Sequence, residues 1–321
     1  MTGKRYKRIA RSPPKAGMRP NYKETSEEKV KNVTDNNANL VEILTRALPY
    51  IQRFQGKTIV VKYGGSAMIN SDLKEAVIRD VILLSLVGIR VVLVHGGGPE
   101  IEVMLRALGK ESRFVQGLRY TDGETMDVVQ MVLCGLVNKE ITAMIQGGGG
   151  RAMGLCGIDG GLFTARRFKP GGEDMGLVGE IEHVEAGLLN TLLDSAVIPV
   201  ISPVALGVGE DEGRSLNVNA DAAAAEIAVA LGAEKLLLMT DVRGILEDTQ
   251  DPESLIRVIP RPDLDRLKTE GTVTEGMIPK ADCCALAIDG GVKRAHIIDG
   301  RLSHALLIEL FTDEGIGTMI E

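Results

Sequence analysis

Two apolar runs, each ending in a cluster of glycines, constrain the fold of this chain more than any other feature of its sequence. The first run, 58–62, is followed by Tyr63-Gly64-Gly65. The second, 90–94, is followed by His95-Gly96-Gly97-Gly98-Pro99 and then by a helical pattern. A short apolar run that leads through a glycine turn into a helix is typical of the β–α units of parallel sheets.

The same alternation continues to the end of the chain. It predicts an α/β fold in which helix layers cover a mainly parallel sheet. Aromatic residues are only 3% of the chain and tryptophan is absent, so the core must consist of Val, Ile, Leu and Ala. The other predicted elements are strands 197–201, 235–239 and 296–298 and helices 39–54, 73–87, 100–108, 125–146, 185–194, 221–231, 263–270 and 280–289.

Charge separates the N-terminus from the rest of the chain. Residues 1–23 hold eight basic and no acidic residues. By difference from the formal net charge of −7, the remainder carries about 15 more acidic than basic residues. A body this acidic is not expected to bind nucleic acid. Residues 1–37 are polar and are predicted to be a disordered basic extension, with contact to an anionic partner as the alternative.

The four cysteines form no C-x-x-C pair and have no histidine at metal-ligand spacing. We therefore expect free thiols in a reducing compartment and no protein metal site. No apolar run approaches the length of a membrane span, so no membrane contact is expected. The N-terminus is acid-poor like a transit peptide, but its first 25 residues contain one serine. The predicted location is the cytoplasm, with the plastid stroma as the alternative.

Both glycine clusters could bind an anion. Lys62 ends the first strand beside bare backbone amides, which favours a phosphate site, although a solvated lysine before a turn remains open. Gly96, Gly97 and Gly98 precede a helix that Pro99 can open, so amides and helix dipole would face an anion together. A plain tight turn is the alternative. Neither loop is a Walker A or a Rossmann fingerprint.

Three further residues complete a possible reaction centre. Arg119 precedes a long helix, and its guanidinium suits a carboxylate. Asp221 either caps the following helix or places a carboxylate near the phosphates. Lys280 begins a helix, where its charge opposes the dipole unless an anion or Asp221 compensates it. Two lysines, one carboxylate and two anion loops favour phosphoryl transfer over hydrolysis or redox chemistry.

These motifs resemble those of the acetylglutamate kinases of the amino acid kinase superfamily, over about residues 40–321. The matching segments are Lys-Tyr-Gly-Gly (62–65), Val-His-Gly-Gly-Gly-Pro (94–99), Gly-Leu-Arg-x-Thr (117–121), Asn-Val-Asn-Ala-Asp (217–221), Met-Thr-Asp-Val-x-Gly (239–244) and Met-Ile-Pro-Lys (277–280). One departure is Glu275, which stands where the family usually has a second glycine. The resemblance implies a three-layer αβα sandwich around a sheet of about eight strands.

The resemblance also implies ATP, with Mg²⁺ held mainly by the nucleotide, as donor and N-acetyl-L-glutamate as acceptor in arginine biosynthesis. Lys62 and Lys280 would stabilise the transferring phosphoryl group, and Asp221 would orient both. Residues 56–228 would form a lobe for acetylglutamate and dimerisation, and residues 229–321 a lobe for ATP and arginine. The implied substrate-binding residues are Gly97, Gly98, Arg119 and Asn217, and the implied phosphate- or nucleotide-binding residues are Gly64, Gly65, Gly96, Thr240, Asp241 and Gly244.

Regulation is a further implication of the resemblance. Residues 38–55 resemble the N-terminal helix that joins arginine-inhibited members into a homohexamer, a trimer of dimers. Packing of that helix on its own subunit is the alternative. The implied arginine-binding residues are Tyr50, His296, Glu309 and Gly315. Members from oxygenic phototrophs bind the PII signalling protein, which is therefore a possible partner.

Two other functions remain open at this stage. A related kinase could use another carboxylate, such as aspartate or a substrate bound to an amino-group carrier. Arg119 and Asn217 together favour a free acetylated amino acid. A pseudokinase could sense arginine or bind PII without catalysis, but it would have no chemical reason to keep Lys62, Asp221 and Lys280.

Overall fold

The computed structural model describes residues 41–42, 45–65, 68, 70–115, 117–273 and 276–321. The chain divides into two units, residues 1–46 and 47–321. In the first unit the described residues are helical, and Arg46 pairs with Glu42 at 2.7 Å. The predicted extension 1–37 lies outside the described residues, as does Glu275.

The second unit contains the predicted alternation of strands and helices. Its strands are β1 (Thr58–Tyr63), β2 (Arg90–His95), β3 (Phe114–Val115), β4 (Leu118–Arg119), β5 (Ala152–Cys156), β6 (Phe163–Arg167), β7 (Val178–Val184), β8 (Ile198–Ser202), β9 (Val204–Gly207), β10 (Ser215–Val218), β11 (Lys235–Thr240), β12 (Val258–Ile259), β13 (Arg294–Asp299) and β14 (Thr318–Ile320). Its helices are α1 (residues 47–54), α2 (Ser71–Leu86), α3 (Gly98–Ala107), α4 (Gly123–Gln130), α5 (Asn138–Gly147), α6 (Ala186–Asp194), α7 (Ala220–Ala230), α8 (Arg261–Thr269), α9 (Ile278–Asp289) and α10 (Ala305–Phe311).

A large sheet organises this unit. Among the described residues it has eight strands in the order β12-β14-β13-β11-β1-β2-β8-β5. The strands from β13 to β5 are parallel, and β14 runs antiparallel to β13. The register aligns Tyr63 with His95 and Thr240 with Asp299, so these strands end together at one edge of the sheet. Ligands of open α/β sheets bind at this carboxyl edge.

Helices cover both faces of the sheet, as the α/β prediction requires. Alternate residues of β1 enter opposite cores, Ile59 and Val61 on one face and Val60 on the other. The first core contains apolar residues of α2, α4, α5 and α10, and the second contains those of α6, α7, α8 and α9. The three-layer αβα architecture with an eight-stranded, mainly parallel sheet is therefore confirmed.

Within the part of the chain that the structure describes, two smaller strand groups stand outside the large sheet and were not predicted. Strands β10, β7, β6 and β9 form a small closed barrel, and β3 pairs with β4 in a hairpin. β4 carries Arg119 and β10 carries Asn217. These groups therefore bring together two predicted substrate residues that lie far apart in the sequence.

The longest helix departs from ideal α geometry. α4 and α5 are joined by a π-helical segment, Met131–Val137, into one helix from Gly123 to Gly147. In length and composition this helix could cross a membrane, so the expectation that no apolar segment reaches that length was wrong. Val132, Leu133 and Val137 pack in the first core, which accounts for much of its apolar character. A single such helix is weak evidence for a membrane span.

Candidate active site

Three charged side chains from different elements converge above the carboxyl edge of the sheet. The Nζ of Lys62 on β1 lies 3.0 Å from Oδ1 of Asp221 on α7. The Nζ of Lys280 on α9 lies 2.6 Å from Oδ2 of the same carboxylate. One carboxylate therefore holds both ammonium groups, as the sequence led us to expect for Lys280.

The local sequence fixes where each of these groups lies. The side chain of Asn219 caps α7 by accepting from the backbone N–H groups of Asp221 and Ala222, at 2.8 and 3.1 Å. The capping function is therefore performed by Asn219, and Asp221 in the first turn is free to face the lysines. Lys280 lies in the first turn of α9, where Asp221 offsets its unfavourable position in the dipole.

The carboxylate of this centre is ionised at neutral pH. Burial raises the pKa of Asp221, but the nearby Lys62 and Lys280 outweigh it, and the pKa lies below its ordinary value. Asp221 is thus a carboxylate. Cys283 lies on the same helix as Lys280, and burial followed by the charge of Asp221 raises its pKa to about 12. Its thiol stays protonated, so a thiolate nucleophile is not available here.

The two glycine loops are joined beside this centre. The N–H of Gly96 donates to the carbonyl of Tyr63 at 2.8 Å. While that bond holds, the Gly96 amide is not open to a phosphate. A Cβ at Gly64 would lie 2.8 Å from Nζ of Lys62, so the ammonium packs directly on the bare backbone. Gly65 has a φ of +71°, which favours glycine.

A cavity of about 210 Å³ lies next to the second glycine loop. It is lined by all four predicted substrate-binding residues and by Gly96: Gly96, Gly97, Gly98, Arg119 and Asn217. The side-chain nitrogen of Asn217 donates to Oγ1 of Thr121 at 3.1 Å. Its amide oxygen is therefore directed away from Thr121. The cavity combines backbone amides, a guanidinium and an amide, which suits an anionic ligand with a polar substituent.

Glu102, Ser112 and Phe114, which the sequence did not single out, hold Arg119 in place together with Gly98. Glu102 accepts from Nη1 of Arg119 at 3.1 Å, and the carbonyl of Gly98 accepts from Nη2 at 3.2 Å. Ser112 also contacts the guanidinium, which lies 4.7 Å from the ring centre of Phe114. These contacts are formed by the fold, and no local sequence pattern announces them.

Three of the predicted phosphate- or nucleotide-binding residues, Thr240, Asp241 and Gly244, lie at or after the end of β11, at the same edge of the sheet. Thr240 is buried and its hydroxyl lies 3.3 Å from Oδ1 of Asp241. Gly244 has a φ of +149°, and a Cβ there would lie 2.6 Å from Oγ1 of Thr318. These three residues are not among those that line the 210 Å³ cavity.

A second cavity, of about 680 Å³, is lined by the four predicted regulatory residues Tyr50, His296, Glu309 and Gly315. Nδ1 of His296 lies 2.7 Å from Oε1 of Glu309, and Oε2 accepts from the backbone N–H of Ile316 at 2.8 Å. Gly315 has a φ of +60° and its added Cβ would lie 3.1 Å from Glu309.

The electrostatics of the second cavity are mixed. Burial lowers the pKa of His296, which is therefore neutral at pH 7. Burial raises the pKa of Glu309, but the interactions with His296 and the Ile316 amide outweigh burial. The pKa lies below its ordinary value, so the group is a carboxylate. Burial also lowers the pKa of Lys235 to about 8. The sequence missed the cationic members of the lining, which are Arg53, Lys235, Arg257 and Arg294.

No group of three or more His, Cys, Asp or Glu side chains in the described part of the chain is arranged to hold a metal ion. Mg²⁺ commonly keeps several waters and binds through substrate phosphates and one or two carboxylates. The donor set at the carboxyl edge is compatible with a metal that arrives with a nucleotide.

Comparison with known proteins agrees with this geometry. The model of the amino acid kinase family matches residues 57–299. An acetylglutamate kinase of Heliobacterium modesticaldum is 58% identical over 287 residues, 87% of this chain and 96% of the relative. An acetylglutamate kinase of Nostoc sp. (strain PCC 7120) is 56% identical over 283 residues, 88% of this chain and 94% of the relative.

Solved structures place the fold in the same group. An N-acetylglutamate synthase of Neisseria gonorrhoeae, complexed with coenzyme A and N-acetyl-glutamate, superposes with a TM-score of 0.76 at 30% identity. The match covers 87% of this chain but 63% of the synthase. A carbamate kinase of Giardia lamblia bound to AMP-PNP has a TM-score of 0.61 at 15% identity over 83% of this chain and 98% of its own, which supports the fold alone. The chain is an enzyme that belongs to the acetylglutamate kinases of the amino acid kinase family.

Proposed function

We propose that this chain transfers the γ-phosphoryl group of ATP to the side-chain carboxylate of N-acetyl-L-glutamate, in arginine biosynthesis. The observation that carries the proposal is the pairing of Lys62 and Lys280 with one buried carboxylate, Asp221, beside two joined glycine loops. Relatives named acetylglutamate kinase, 53–58% identical over most of the chain, support the choice of substrate.

The reaction follows from the charges. A carboxylate oxygen of the acceptor attacks the γ-phosphorus, and the bond from that phosphorus to the β–γ bridging oxygen breaks. The products are an acyl phosphate and ADP. The acceptor is already ionised at neutral pH, so no general base is needed. Negative charge on the transferring group faces Lys62 and Lys280, which Asp221 holds in place before the substrates arrive.

Mg²⁺ would enter with the triphosphate and neutralise part of the charge on its β- and γ-phosphates. Thr240, Asp241 and Gly244 are the proposed nucleotide residues, because they lie at the same carboxyl edge as Lys62. Gly64 and Gly65 are the proposed phosphate loop, since bare backbone there lies against the Lys62 ammonium.

The smaller cavity supports recognition of an acetylated amino acid. Arg119, fixed by Glu102 and Gly98, would bind the α-carboxylate. Asn217, oriented by Thr121, would bind the acetamido group. Gly97 and Gly98 would receive the side-chain carboxylate at the N-terminus of α3.

A panel of acceptors tests the substrate assignment. ADP release is measured with Mg²⁺-ATP and either N-acetyl-L-glutamate, N-acetyl-L-aspartate, L-glutamate or L-aspartate. We expect N-acetyl-L-glutamate to give the highest kcat/KM by at least about tenfold. The exposed Lys293→Met variant should match wild type, whereas Lys280→Met should lose most of the activity. A higher kcat/KM for L-aspartate would reassign the substrate, and inactivity with every acceptor would favour a pseudokinase.

The second proposal is that arginine binds in the 680 Å³ cavity and inhibits the enzyme. Its support is chemical complementarity, because a free arginine carries a guanidinium and an α-carboxylate. Glu309 is a buried carboxylate suited to the guanidinium. Lys235 and Arg294 line the same cavity and could balance the α-carboxylate.

Inhibition by L-arginine tests this proposal. In wild type we expect activity to fall as L-arginine is added, with little effect of L-lysine. Glu309→Gln should raise the half-inhibitory concentration roughly tenfold or more, because a charged partner is lost. The exposed Glu247→Gln variant is the matched control and should behave as wild type. A wild type indifferent to arginine would refute the regulatory site and leave the kinase assignment standing.

Assembly, partners and location remain proposals drawn from the resemblance. We propose a homohexamer joined through the helix that contains residues 45–54, and PII as an additional partner. Binding of purified PII to the immobilised chain would test that partner. A lobe for acetylglutamate at residues 56–228, a lobe for ATP at residues 229–321 and a cytoplasmic location, with the plastid stroma as the alternative, are also proposed.

A further inference from the structure

His95 and Asn138 lie directly behind the second glycine loop and have no role in the reaction described above. His95 is the last residue of β2, and Asn138 is the first residue of α5. Both side chains are buried, at 0% and 1% exposure. Buried polar side chains of this kind are costly unless they are fully hydrogen-bonded, so their partners are informative.

The partners of Asn138 fix the orientation of its amide. Its nitrogen lies 2.9 Å from the carbonyl oxygen of Val200, which can only accept a hydrogen bond. Its oxygen accepts from Nζ of Lys139 at 3.1 Å, and that ammonium also donates to the carbonyl of Gly154 at 2.9 Å. A flipped amide would set oxygen against oxygen at Val200. The nitrogen must therefore face inward.

The tautomer of His95 follows from these contacts. Its Nε2 lies 3.1 Å from the Asn138 nitrogen and so accepts a hydrogen bond. Its Nδ1 lies 2.7 Å from the carbonyl oxygen of Gly96 and so carries the hydrogen. A second proton on Nε2 would face an N–H group. The Leu155 carbonyl, 3.3 Å from the Asn138 nitrogen, shares the amide hydrogens with Nε2. The arrangement favours the neutral, Nδ1-protonated ring, because the amide nitrogen offers a protonated Nε2 no acceptor.

The charge state agrees with this geometry. Burial lowers the pKa of His95 to about 4, although its hydrogen bond to Gly96 opposes the shift, and the Lys139 ammonium lowers the pKa further. The imidazole is therefore neutral at pH 7. It acts as a fixed hydrogen-bond donor and not as an acid or base.

His95 determines the direction of the next amide in the loop. The Gly96 carbonyl is held inward by His95, and the Gly96 N–H is held by Tyr63. In a planar trans peptide the C=O and the following N–H point in opposite directions. The N–H of Gly97 therefore points away from His95, and Gly97 lines the 210 Å³ cavity.

We propose that His95 and Asn138 are positioning residues for the reaction, which hold the Gly96–Gly97 peptide so that the Gly97 amide faces the reacting carboxylate and phosphoryl oxygens. This inference rests on the proposed function. Neither side chain touches the reacting atoms, and each acts through the glycine backbone. A loop of three glycines has no side chains of its own to fix this peptide, so the neighbouring histidine supplies the constraint.

Two replacements of His95 separate this role from simple support of the core. His95→Asn keeps a donor near the position of Nδ1, whereas His95→Gln places its nitrogen nearer the position of Nε2. We expect His95→Gln to lower kcat by roughly 10- to 100-fold while the KM for ATP stays within about twofold. His95→Asn should recover most of that loss. Each variant is compared using whichever carboxylate the wild type accepts, so a wrong substrate would not affect the test.

A core variant of the same strand controls for stability. Val92→Ala removes a fully buried side chain of β2 in the opposite core. It should lower the melting temperature without lowering kcat at a temperature at which the protein is folded. If Val92→Ala and both His95 variants lost kcat in proportion to their loss of stability, or if His95→Gln kept the wild-type kcat, the positioning role would be wrong.

The tautomer gives an independent readout that does not require activity. The chain has four histidines, so comparison of ¹⁵N-labelled wild type with His95→Gln assigns the ring signals of His95. We expect a neutral ring with the proton on Nδ1, unchanged between pH 5.5 and 9. A proton on Nε2, or titration within that range, would overturn the inference even if the wild type proved to phosphorylate N-acetyl-L-glutamate.

Discussion

At the scale of single residues, the reaction centre depends on one carboxylate serving two ammonium groups. Lys62 and Lys280 come from opposite ends of the sequence, yet their Nζ atoms lie 3.0 and 2.6 Å from Asp221. Without that carboxylate, two like charges would face one another in a partly buried site. Asp221 therefore permits both cations to be present before the phosphates bind.

Replacing Asp221 by asparagine tests this role. The side chain keeps its shape but loses its charge, so the two ammonium groups would repel and move. We expect kcat to fall on the order of 100-fold or more. Steady-state kinetics with varied N-acetyl-L-glutamate measures the effect. Asp194→Asn, which alters an exposed ion pair with Arg90, should leave kcat unchanged. An Asp221→Asn enzyme with wild-type kcat would contradict the account.

The pKa of Lys235 makes a second prediction at this scale. Because burial lowers that pKa to about 8, the ammonium is present at pH 7 and largely lost by pH 9. If Lys235 balances the α-carboxylate of arginine, inhibition should weaken over this range. We expect the half-inhibitory concentration to rise by up to about tenfold in wild type and to change little in Lys235→Met. An equal rise in both would assign the pH dependence to another group.

Local chemistry explains which site residues the sequence could predict. Lys62 and Lys280 lie within short patterns whose chemistry can be read locally, at the end of a strand or the start of a helix. Glu102 and Thr121 were missed, because their roles arise only when the fold brings them to Arg119 and Asn217. Such contacts have no fixed spacing in the sequence.

At the scale of elements, the N-terminus of α7 links stability to catalysis. The Asn219 side chain accepts hydrogen bonds from the N–H groups of Asp221 and Ala222 and so sets the first turn of the helix. Asp221 is part of that turn. A change in the cap should therefore be felt both in the folding free energy and in the placement of the catalytic carboxylate.

Asn219→Ala should show both effects. Loss of a helix cap costs about 1 kcal/mol, which should lower the melting temperature by roughly 2–4 °C. We also expect kcat to fall, because the first turn would fray. Thermal unfolding and kinetics measure the two effects. Glu185→Ala, which removes the cap of α6, should change only the melting temperature. If Asn219→Ala did the same, the proposed link would be absent.

Sequence patterns predicted the helices of this chain better than their hydrogen-bond geometry or the strands of the small barrel. The helix predicted at 221–231 is α7, which spans Ala220–Ala230. Its run of alanines predicted the helix, although the cap is Asn219 and not Asp221. The π-helical segment Met131–Val137 lay inside a predicted helix and was not foreseen, since apolar spacing does not report the hydrogen-bond pattern. β6, with the sequence Phe-Thr-Ala-Arg-Arg, has too little apolar alternation to predict the small barrel.

At the scale of the whole molecule, the parallel register unites the site. Tyr63 aligns with His95 and Thr240 with Asp299, so loops that are far apart in sequence leave the sheet at one edge. The order of strands could not be predicted from local patterns, because neighbouring strands can be far apart in the sequence. β1, for example, pairs with β11, and Ile59 lies beside Lys235. Prediction of the α/β class required only that strand and helix patterns alternate along the chain. The class was therefore predicted correctly.

The proposed hexamer can be tested with one surface residue. Leu48 is 49% exposed and lies in the helix proposed to join dimers. We expect Leu48→Arg to reduce the mass in solution from six chains to two, since a charge would be buried at the interface. Light scattering after gel filtration measures this. Leu86→Arg, at a position that is 73% exposed on α2, is the control. A wild type that is itself a dimer would refute the hexamer.

The central claim is that a carboxylate receives the phosphoryl group. The most direct measurement is to trap the product of N-acetyl-L-glutamate and Mg²⁺-ATP with hydroxylamine and to count hydroxamate against ADP. The account predicts one hydroxamate for each ADP in wild type, and almost none of either with Asp221→Asn. ADP released without hydroxamate would mean that water, and not the carboxylate, attacks the γ-phosphate, and would contradict the proposed function.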